Sequence, residues 1–263
     1  MLRFLSKTVD KSVDTHRPSA PAGKRAYAIG DVHGRLDLLN DLLAQIEDDI
    51  AGRRPKQTHI IFLGDLIDRG PHSRHVVERL IDYAPSNASC HFLMGNHEEV
   101  LVRGLRGEPH LLDGWIQHGG DTTAESYGVD AAYLRSQGDD ALEHALLSAI
   151  PESHIRFMAG FLDSIQFGDY LLVHAGIRPG TPLDDQSPSD MRWIRKEFLE
   201  STRQHGSMIV HGHSVEEKIM PRSNRIGLDT GAYRTGILSA VRLEGDQADF
   251  IQSREHCAAR TQS

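Results

Sequence analysis

The sequence has few of the features that mark secreted, membrane or nucleic-acid-binding proteins. Its 263 residues include only two cysteines, Cys90 and Cys257, which form no disulfide framework and no metal-binding spacing. No apolar run approaches the length of a membrane span, and residues 1–24 lack the continuous apolar segment of a secretory signal. The net charge of -8 provides no basic footprint for nucleic acid or an anionic membrane. We therefore expect a cytoplasmic protein that binds neither nucleic acid nor a membrane. The sequence leaves the oligomeric state open.

The composition is that of an ordinary globular protein, with 39% hydrophobic and 25% charged residues. Residues 1–24 are rich in Ser, Thr, Pro and Lys, which predicts a flexible N-terminal leader. We expect a single domain over 25–255 and a short C-terminal tail over 256–263. A chain of this length can bury a substantial core.

Short apolar strands alternate with amphipathic helices over the first hundred residues. Strands are predicted at 27–29, 60–63 and 90–94, and helices at 35–50, 73–83 and 98–105. In the first helix, apolar residues recur at helical spacing at Leu36, Leu39, Leu43, Ile46 and Ile50. Strands and helices that alternate at intervals of about thirty residues indicate βαβ units with a parallel sheet.

The pattern changes after residue 105. Residues 106–163 favour helices and are interpreted as a helical insertion over one edge of the sheet. Strands resume at 164–167 and 170–173, joined by a Gly168-Asp169 hairpin turn. A helix over 190–200 and strands at 208–210, 225–228, 237–243 and 248–252 complete the prediction. One α/β domain with its sheets in two layers is the simplest account.

Polar side chains follow five of the predicted strands. Three strands end in glycine and an oxygen-bearing residue, as Gly30-Asp31, Gly64-Asp65 and Gly95-Asn96; two end in histidine, as Val173-His174 and Val210-His211-Gly212-His213. Any one such motif is more often a turn or a structural histidine than a ligand. Five in order on a βαβ framework instead predict a shared site at the strand ends. Mixed carboxylate, amide and imidazole donors suit Mn²⁺, Fe or Zn²⁺.

Five segments together resemble the calcineurin-like metallophosphoesterases, and within them the bacterial branch of the phosphoprotein phosphatases. They are Gly30-Asp-Val-His-Gly34, Gly64-Asp-Leu-Ile-Asp-Arg-Gly70, Gly95-Asn-His-Glu98, Val173-His-Ala-Gly176 and Gly212-His-Ser214. The resemblance covers about residues 25–245. It implies a four-layer αββα sandwich, with two mixed β-sheets flanked by helices.

The resemblance also implies a centre of two divalent metal ions, Mn²⁺ being the first expectation and Fe or Zn²⁺ the alternatives. Asp31, His33 and Asp65 would hold the first ion. The second would be held by Asp65, Asn96, His174 and His213, so that Asp65 bridges the two. His211 lies two residues before His213 and is interpreted as a neighbour of the ligands, although the sequence leaves open whether it is itself a ligand.

The remaining site residues are likewise implied by the resemblance. A metal-bridging hydroxide would attack the phosphorus directly, with His97 as general acid and Asp68 fixing its tautomer. Arg69 and Asn96 would bind phosphate oxygens, together with a second arginine. The segment Trp193-Ile-Arg195 matches the position of that arginine, so Arg195 is preferred to Arg192.

Three functions are compatible with these motifs. The first is hydrolysis of phosphoserine or phosphothreonine in proteins, with other phosphorylated residues or a phosphorylated small molecule as further substrates. The second is hydrolysis of dinucleoside polyphosphates such as diadenosine tetraphosphate; Asp68-Arg69-Gly70 and Asn96-His97-Glu98 resemble the protein phosphatases more closely. The third is a non-catalytic metal-binding scaffold, which the complete set of expected ligands disfavours. The segment 228–236 does not match the toxin-binding loop of the eukaryotic relatives, so their inhibitors and regulatory partners are not expected.

Overall fold

The computed structural model describes residues 17–130, 133, 136 and 139–255. Most of the predicted leader, the tail over 256–263 and Cys257 lie outside the described residues. Among the described residues, no helix combines the length and the hydropathy that crossing a membrane requires.

The strands and helices follow the predicted order. The strands are β1 (Lys24–Ile29), β2 (Gln57–Phe62), β3 (Ala88–Phe92), β4 (Ser164–Phe167), β5 (Tyr170–Val173), β6 (Met208–His211), β7 (Arg225–Gly227), β8 (Ile237–Glu244) and β9 (Gln247–Arg254). The helices are α1 (Leu36–Ala51), α2 (Ser73–Ile81), α3 (Asn96–Gly104), α4 (His110–Trp115), α5 (Asp121–Ser126), α6 (Asp139–Ala149), α7 (Glu152–Ala159), α8 (Pro188–Trp193), α9 (Lys196–Leu199) and α10 (Ala232–Thr235). A π-helical turn, Ile116–Gly120, joins α4 to α5, and a 3₁₀ turn forms at Leu183–Asp185.

The strands form two mixed sheets. The first has the order β3-β2-β1-β8-β9, in which β1, β2 and β3 are parallel and β8 and β9 are antiparallel to their neighbours. The second has the order β4-β5-β6-β7, in which β5, β6 and β7 are parallel. The parallel strands of each sheet therefore end at one edge, which gathers the residues that follow them.

The alternation of side chains along β1 shows how the layers pack. Tyr27 and Ile29 face a core shared with the helices, whereas Ala26 and Ala28 face a second core between the two sheets. In the second sheet, Leu172 joins the inter-sheet core and Val173 packs with Phe198 of α9 on the outer face. Helix, sheet, sheet and helix therefore form four layers, and the predicted fold class is confirmed.

The predicted helix over 190–200 is wrong in one respect, since the structure contains two short helices there. α8 ends at Trp193, and Ile194 adopts an extended conformation with ψ of 141°. Arg195, with φ of -131° and ψ of -93°, precedes α9. The break matters because it separates the environment of Arg195 from that of Arg192.

Residues 18–20, which lie within the predicted leader, contact the rest of the domain. The backbone N–H of Ala20 donates to the carbonyl of Gly245 at 2.7 Å, and the N–H of Ser19 donates to Asp169 at 2.9 Å. The hydroxyl of Tyr170 donates to the carbonyl of Pro18. These contacts tie residues 18–20 to the second sheet and to the β8–β9 turn. This part of the predicted leader is therefore held against the domain.

Candidate active site

The site forms where the parallel strands of both sheets end. Every residue proposed from the sequence lies in a loop or a helix start directly after such a strand, except Arg195, which lies between α8 and α9. The set is Asp31 and His33 after β1; Asp65, Asp68 and Arg69 after β2; Asn96 and His97 after β3; His174 after β5; and His213 after β6.

Backbone strain is concentrated in these loops. The non-glycine residues with positive φ among those described are His33, Asp65, Asp68, Arg69 and His213, at 45°, 49°, 72°, 67° and 62°. L-residues rarely adopt this left-handed region, and each instance costs of order 1–3 kcal/mol. All of them belong to the predicted site, so the fold holds these side chains against a local preference.

Asp65 lies between two groups of possible ligands. Its Oδ2 atom is 3.6 Å from Nε2 of His33, and its Oδ1 atom is 3.5 Å from Nε2 of His174. Among the described residues, two groups of three have ligand atoms within 4.8 Å of one another: His33, Asp65 and His97, and Asp65, His174 and His213. One carboxylate thus offers an oxygen to each group, which is the arrangement that a bridging ligand requires.

Two imidazoles are oriented by backbone carbonyls. Nδ1 of His33 donates to the carbonyl of Ile67 at 2.8 Å, and Nδ1 of His174 donates to the carbonyl of Leu63 at 2.8 Å. These bonds leave the Nε2 atom of each ring unprotonated and directed toward Asp65. Burial lowers the pKa of His33 to about 3 and also lowers the pKa of His174. Both rings are therefore neutral at physiological pH, which is the form that binds metals.

Asn96 and His213 complete the second group. Oδ1 of Asn96 lies 3.0 Å from Nε2 of His174 and 2.8 Å from Nδ1 of His213. Burial, followed by the neighbouring His174, lowers the pKa of His213 to about 2. An amide oxygen and two neutral imidazoles therefore converge on the Oδ1 side of Asp65.

Asp31 lies beside the first group but belongs to neither compact triad. Its carboxylate accepts hydrogen bonds from the backbone N–H of His213 at 3.1 and 3.0 Å. Burial, and then the charges of Asp229 and Asp65, raise the pKa of Asp31 well above its usual range. Its assignment as a ligand of the first metal stays a prediction.

Glycine at two positions allows the backbone to approach the carboxylates closely. A Cβ atom at Gly95 would overlap Oδ1 of Asp65, and one at Gly212 would overlap Oδ1 of Asp31. A side chain at either position would therefore displace a carboxylate of the site.

His97 and Asp68 form a buried pair. Nδ1 of His97 donates to Oδ2 of Asp68 at 2.6 Å, which leaves Nε2 facing the site, 3.8 Å from Oδ2 of Asp65. Burial opposes protonation, but the carboxylates of Asp65 and Asp68 raise the pKa of His97 above 6.5. This ring is thus the protonatable imidazole of the site.

The helical insertion supplies two groups that hold Asp68. Nε1 of Trp115, at the end of α4, donates to Oδ2 of Asp68 at 2.7 Å. The hydroxyl of Thr123, in α5, donates to Oδ1 at 2.6 Å. The carbonyl of Gly119 accepts from the backbone N–H of Arg69 at 2.9 Å. The insertion was expected over a sheet edge; its contacts show that it also supports the site loop after β2.

Arg69 and Arg195 both contact imidazoles of the site. Arg69 places Nη1 2.8 Å from Nε2 of His33 and Nη2 3.0 Å from Nε2 of His97. Nε of Arg195 donates to Nε2 of His213 at 2.9 Å. Arg192 instead pairs with Asp163 at 2.5 Å and with Glu99 at 3.2 Å. The structure thus brings Arg69 and Arg195, but not Arg192, to the strand ends.

Two further carboxylates belong to the site and were missed from the sequence. Glu98 is fully buried and accepts from the backbone N–H groups of Asp65 at 2.9 Å and Leu66 at 2.7 Å. Burial raises the pKa of Glu98 to about 8. It is the last residue of the Gly-Asn-His-Glu segment, so its position in that motif was the available signal. Its role is to hold the strained loop that carries Asp65.

Asp229 is the second missed carboxylate. It is 2% exposed; Oδ1 accepts from the N–H of Gly231 at 2.9 Å, and Oδ2 has no hydrogen-bond partner among the described residues. Burial raises the pKa of Asp229 to about 6, and its charge also raises the pKa of Asp31. It follows strand β7, so the signal was again an acidic residue after an apolar strand.

His211 is buried at the end of β6 and belongs to neither group of three. Its Nδ1 lies 3.0 Å from the carbonyl of Gly212, and its ring packs edge-on against Phe198. This position agrees with its interpretation as a neighbour of the ligands.

The donor set fits divalent metal ions. Buried carboxylates and neutral imidazoles converge on Asp65, and the unpartnered oxygen of Asp229 adds negative charge to the same region. A cation would offset the repulsion between Asp31, Asp65 and Asp229. Oxygen and imidazole donors suit Mn²⁺, Fe and Zn²⁺, among which the donor types alone do not select.

The family model for calcineurin-like phosphoesterases matches residues 24–235. The chain belongs to this family. It is therefore a hydrolase of the metallophosphoesterase type, and the strand-end cluster coincides with the matched region.

Three similar proteins carry names of two kinds, two of them tetraphosphatases and one a protein tyrosine phosphatase. The chain is 27% identical over 238 residues to the bis(5'-nucleosyl)-tetraphosphatase PrpE (asymmetrical) of Halalkalibacterium halodurans, which covers 86% of this chain and 93% of that protein. The crystal structure of a candidate diadenosine tetraphosphatase aligns with a TM-score of 0.60 and 18% identity, over 92% of this chain and 100% of that one. A cold-active protein tyrosine phosphatase aligns with a TM-score of 0.54 and 16% identity, over 88% and 81% of the two chains. The structural likenesses bear on the fold alone.

Proposed function

We propose that this phosphoesterase hydrolyses dinucleoside polyphosphates of the diadenosine tetraphosphate type. The observation that carries the proposal is the likeness to a protein named as such a tetraphosphatase over 93% of that protein's length. The geometry supports a phosphate substrate, because two arginines flank a buried cluster of carboxylates and imidazoles. The proposal reverses the order expected from the Asp68-Arg69-Gly70 and Asn96-His97-Glu98 motifs, which favoured a phosphoprotein.

The residues of the chain would divide the work of hydrolysis among them. When bound, two divalent ions held by Asp31, His33, Asp65, Asn96, His174 and His213 would neutralise phosphate charge and lower the pKa of a water molecule. The guanidinium groups of Arg69 and Arg195 would bind phosphate oxygens, with the amide of Asn96 beside them. These contacts orient the substrate at the strand ends.

His97 would supply the proton for the leaving group. Its Nδ1–H is held by Asp68 at 2.6 Å, so Nε2 is the atom that carries the transferable proton. That proton passes to the bridging phosphate oxygen as its bond to the attacked phosphorus breaks, while water supplies the new P–O bond. The products are two nucleotides, which together contain all the atoms of the substrate and of one water molecule.

A phosphoprotein substrate is the second candidate. The segments Asp68-Arg69-Gly70 and Asn96-His97-Glu98 favour it, since they resemble those of the protein phosphatases. The pKa of His97 is also raised, which suits protonation of an alkoxide such as that of serine. A non-catalytic scaffold is disfavoured, because both the pair His97–Asp68 and the ligand groups are assembled.

The test is a comparison of kcat/KM for diadenosine tetraphosphate and a phosphoserine peptide, with Mn²⁺ added. We expect the dinucleotide to be preferred at least about tenfold. Preference for the peptide by the same factor would make the second candidate the function. No hydrolysis of either substrate, with metal binding retained, would point to the scaffold.

A further inference from the structure

A cleft of about 530 Å³ adjoins the strand-end site and shares Arg69, His97 and Arg195 with it. Its apolar and aromatic walls are formed by Val100, Leu111, Trp115 and Trp193. The volume is within the usual range for small-molecule sites. A molecule that combines phosphates with a flat apolar group would match this sequence of surfaces.

Trp193 is the most unusual residue of this cleft. Its side chain is 43% exposed although it is a large hydrophobic residue. It is not a loose side chain, because its Nε1 donates to Oε2 of Glu99 at 2.7 Å. Glu99 is itself paired with Arg192 at 3.2 Å, and Arg192 with Asp163 at 2.5 Å.

This chain of contacts holds the indole in place. A fixed, exposed aromatic ring loses little conformational entropy when a ligand stacks on it. Its anchoring to Glu99 therefore indicates a preformed platform.

The position of Trp193 relates the platform to the phosphate site. It precedes Arg195 by two residues, and the break at Ile194 lets both line the same cleft. A ligand whose phosphates lie between Arg69 and Arg195 would thus extend its remaining part toward the indole. Positive charge at one end and aromatic surface at the other are complementary to a nucleotide.

We propose that this cleft is a nucleobase subsite in which Trp193 stacks on one base of the dinucleotide. The inference rests on the proposed function for its substrate class, but it makes a separate claim about binding. By this proposal, Trp193 of α8, held by Glu99 of α3, selects nucleotides over other phosphorylated molecules. The residues at the strand ends bind the phosphates alone. Stacking tolerates any base, so the subsite is expected to accept purines and pyrimidines with modest preference.

The test compares two ligands that differ only in the base, AMP and ribose 5-phosphate. Their dissociation constants are measured by calorimetry on the full chain with Mn²⁺. We expect AMP to bind roughly 5- to 100-fold more tightly than ribose 5-phosphate. Trp193→Ala should remove most of this ratio, and Trp193→Phe should keep most of it. Phe250→Ala is the matched control, since Phe250 is 39% exposed on β9 outside the cleft; it should leave the ratio unchanged.

Equal binding of the two ligands would overturn the inference, as would an equal loss for both in Trp193→Ala. A phosphoserine peptide that binds more tightly than AMP, and whose binding is weakened by Trp193→Ala while that of AMP is not, would also overturn the inference. That result would assign the cleft to a peptide side chain. The binding assay involves no turnover, so the proposed function can fail independently. A base-dependent AMP site in a protein that leaves diadenosine tetraphosphate intact would support the subsite and refute the hydrolase.

Discussion

The hydroxyl of Thr123 donates to Oδ1 of Asp68 at 2.6 Å and joins the helical insertion to the loop after β2. The same hydroxyl accepts from the backbone N–H of Asp68 at 2.9 Å. Trp115 holds the other carboxylate oxygen. Asp68 therefore has both oxygens and its own N–H fixed, which leaves it one orientation for His97.

Removing the Thr123 hydroxyl should loosen this orientation. In Thr123→Val we expect kcat to fall several-fold and stability to fall by about 1–2 kcal/mol, because a buried carboxylate oxygen loses a donor. Steady-state kinetics and chemical denaturation measure the two effects. Thr58→Val on β2 is the control: Thr58 is also buried, and its hydroxyl donates to the carbonyl of Lys56, far from the site. An unchanged kcat in Thr123→Val would refute the orienting role of the insertion.

Replacement of the Asp68 carboxylate should change the pH dependence of turnover. The carboxylates of Asp65 and Asp68 raise the pKa of His97, and a general acid acts only while protonated. In Asp68→Asn the pKa of His97 falls, so the basic limb of the kcat profile should move to lower pH. We expect a loss of roughly 100-fold for an alkyl phosphate and less for diadenosine tetraphosphate, whose leaving phosphate needs less protonation. A basic limb that stays in place would exclude His97 as the acid.

Asp229 should strengthen metal binding. Its carboxylate is buried near Asp31 and Asp65, and one oxygen has no hydrogen-bond partner among the described residues. The isosteric Asp229→Asn keeps the acceptor for Gly231 but removes the charge, so Mn²⁺ affinity should fall roughly tenfold. Calorimetric titration of the metal-free protein measures the change. Asp37→Asn, on the exposed start of α1, should leave the affinity unaltered; an unaltered affinity in Asp229→Asn would contradict the assignment.

The strand ends could be predicted from the sequence because their signal is local. An apolar run, a glycine and a carboxylate or amide side chain follow one another directly at Asp31, Asp65 and Asn96. Parallel pairing then brings such residues to one edge of the sheets, whatever the details of packing. The α/β class with two layers of sheet followed from the same alternation of strands and helices, whereas the four-layer αββα arrangement was implied by the family resemblance.

The supporting contacts could not be predicted because they depend on tertiary packing. Trp115 and Thr123 lie about fifty residues beyond Asp68, in a helical region with no pattern that points to the site. The separation of Arg195 from Arg192 depends on one backbone break at Ile194, where the apolar pattern continues as if in one helix. Asp229 lacks the direct glycine–aspartate pair, since Leu228 stands between Gly227 and Asp229.

The most direct test of the central claim is the ratio of kcat/KM values for diadenosine tetraphosphate and a phosphoserine peptide in the Mn²⁺-loaded protein. The measurement should use unchanged protein and His97→Asn side by side, so that contaminating hydrolases are excluded. The proposed function predicts a ratio of about ten or more in favour of the dinucleotide, with turnover strongly reduced in His97→Asn. A ratio that favours the peptide, or equal turnover in the two proteins, would contradict it.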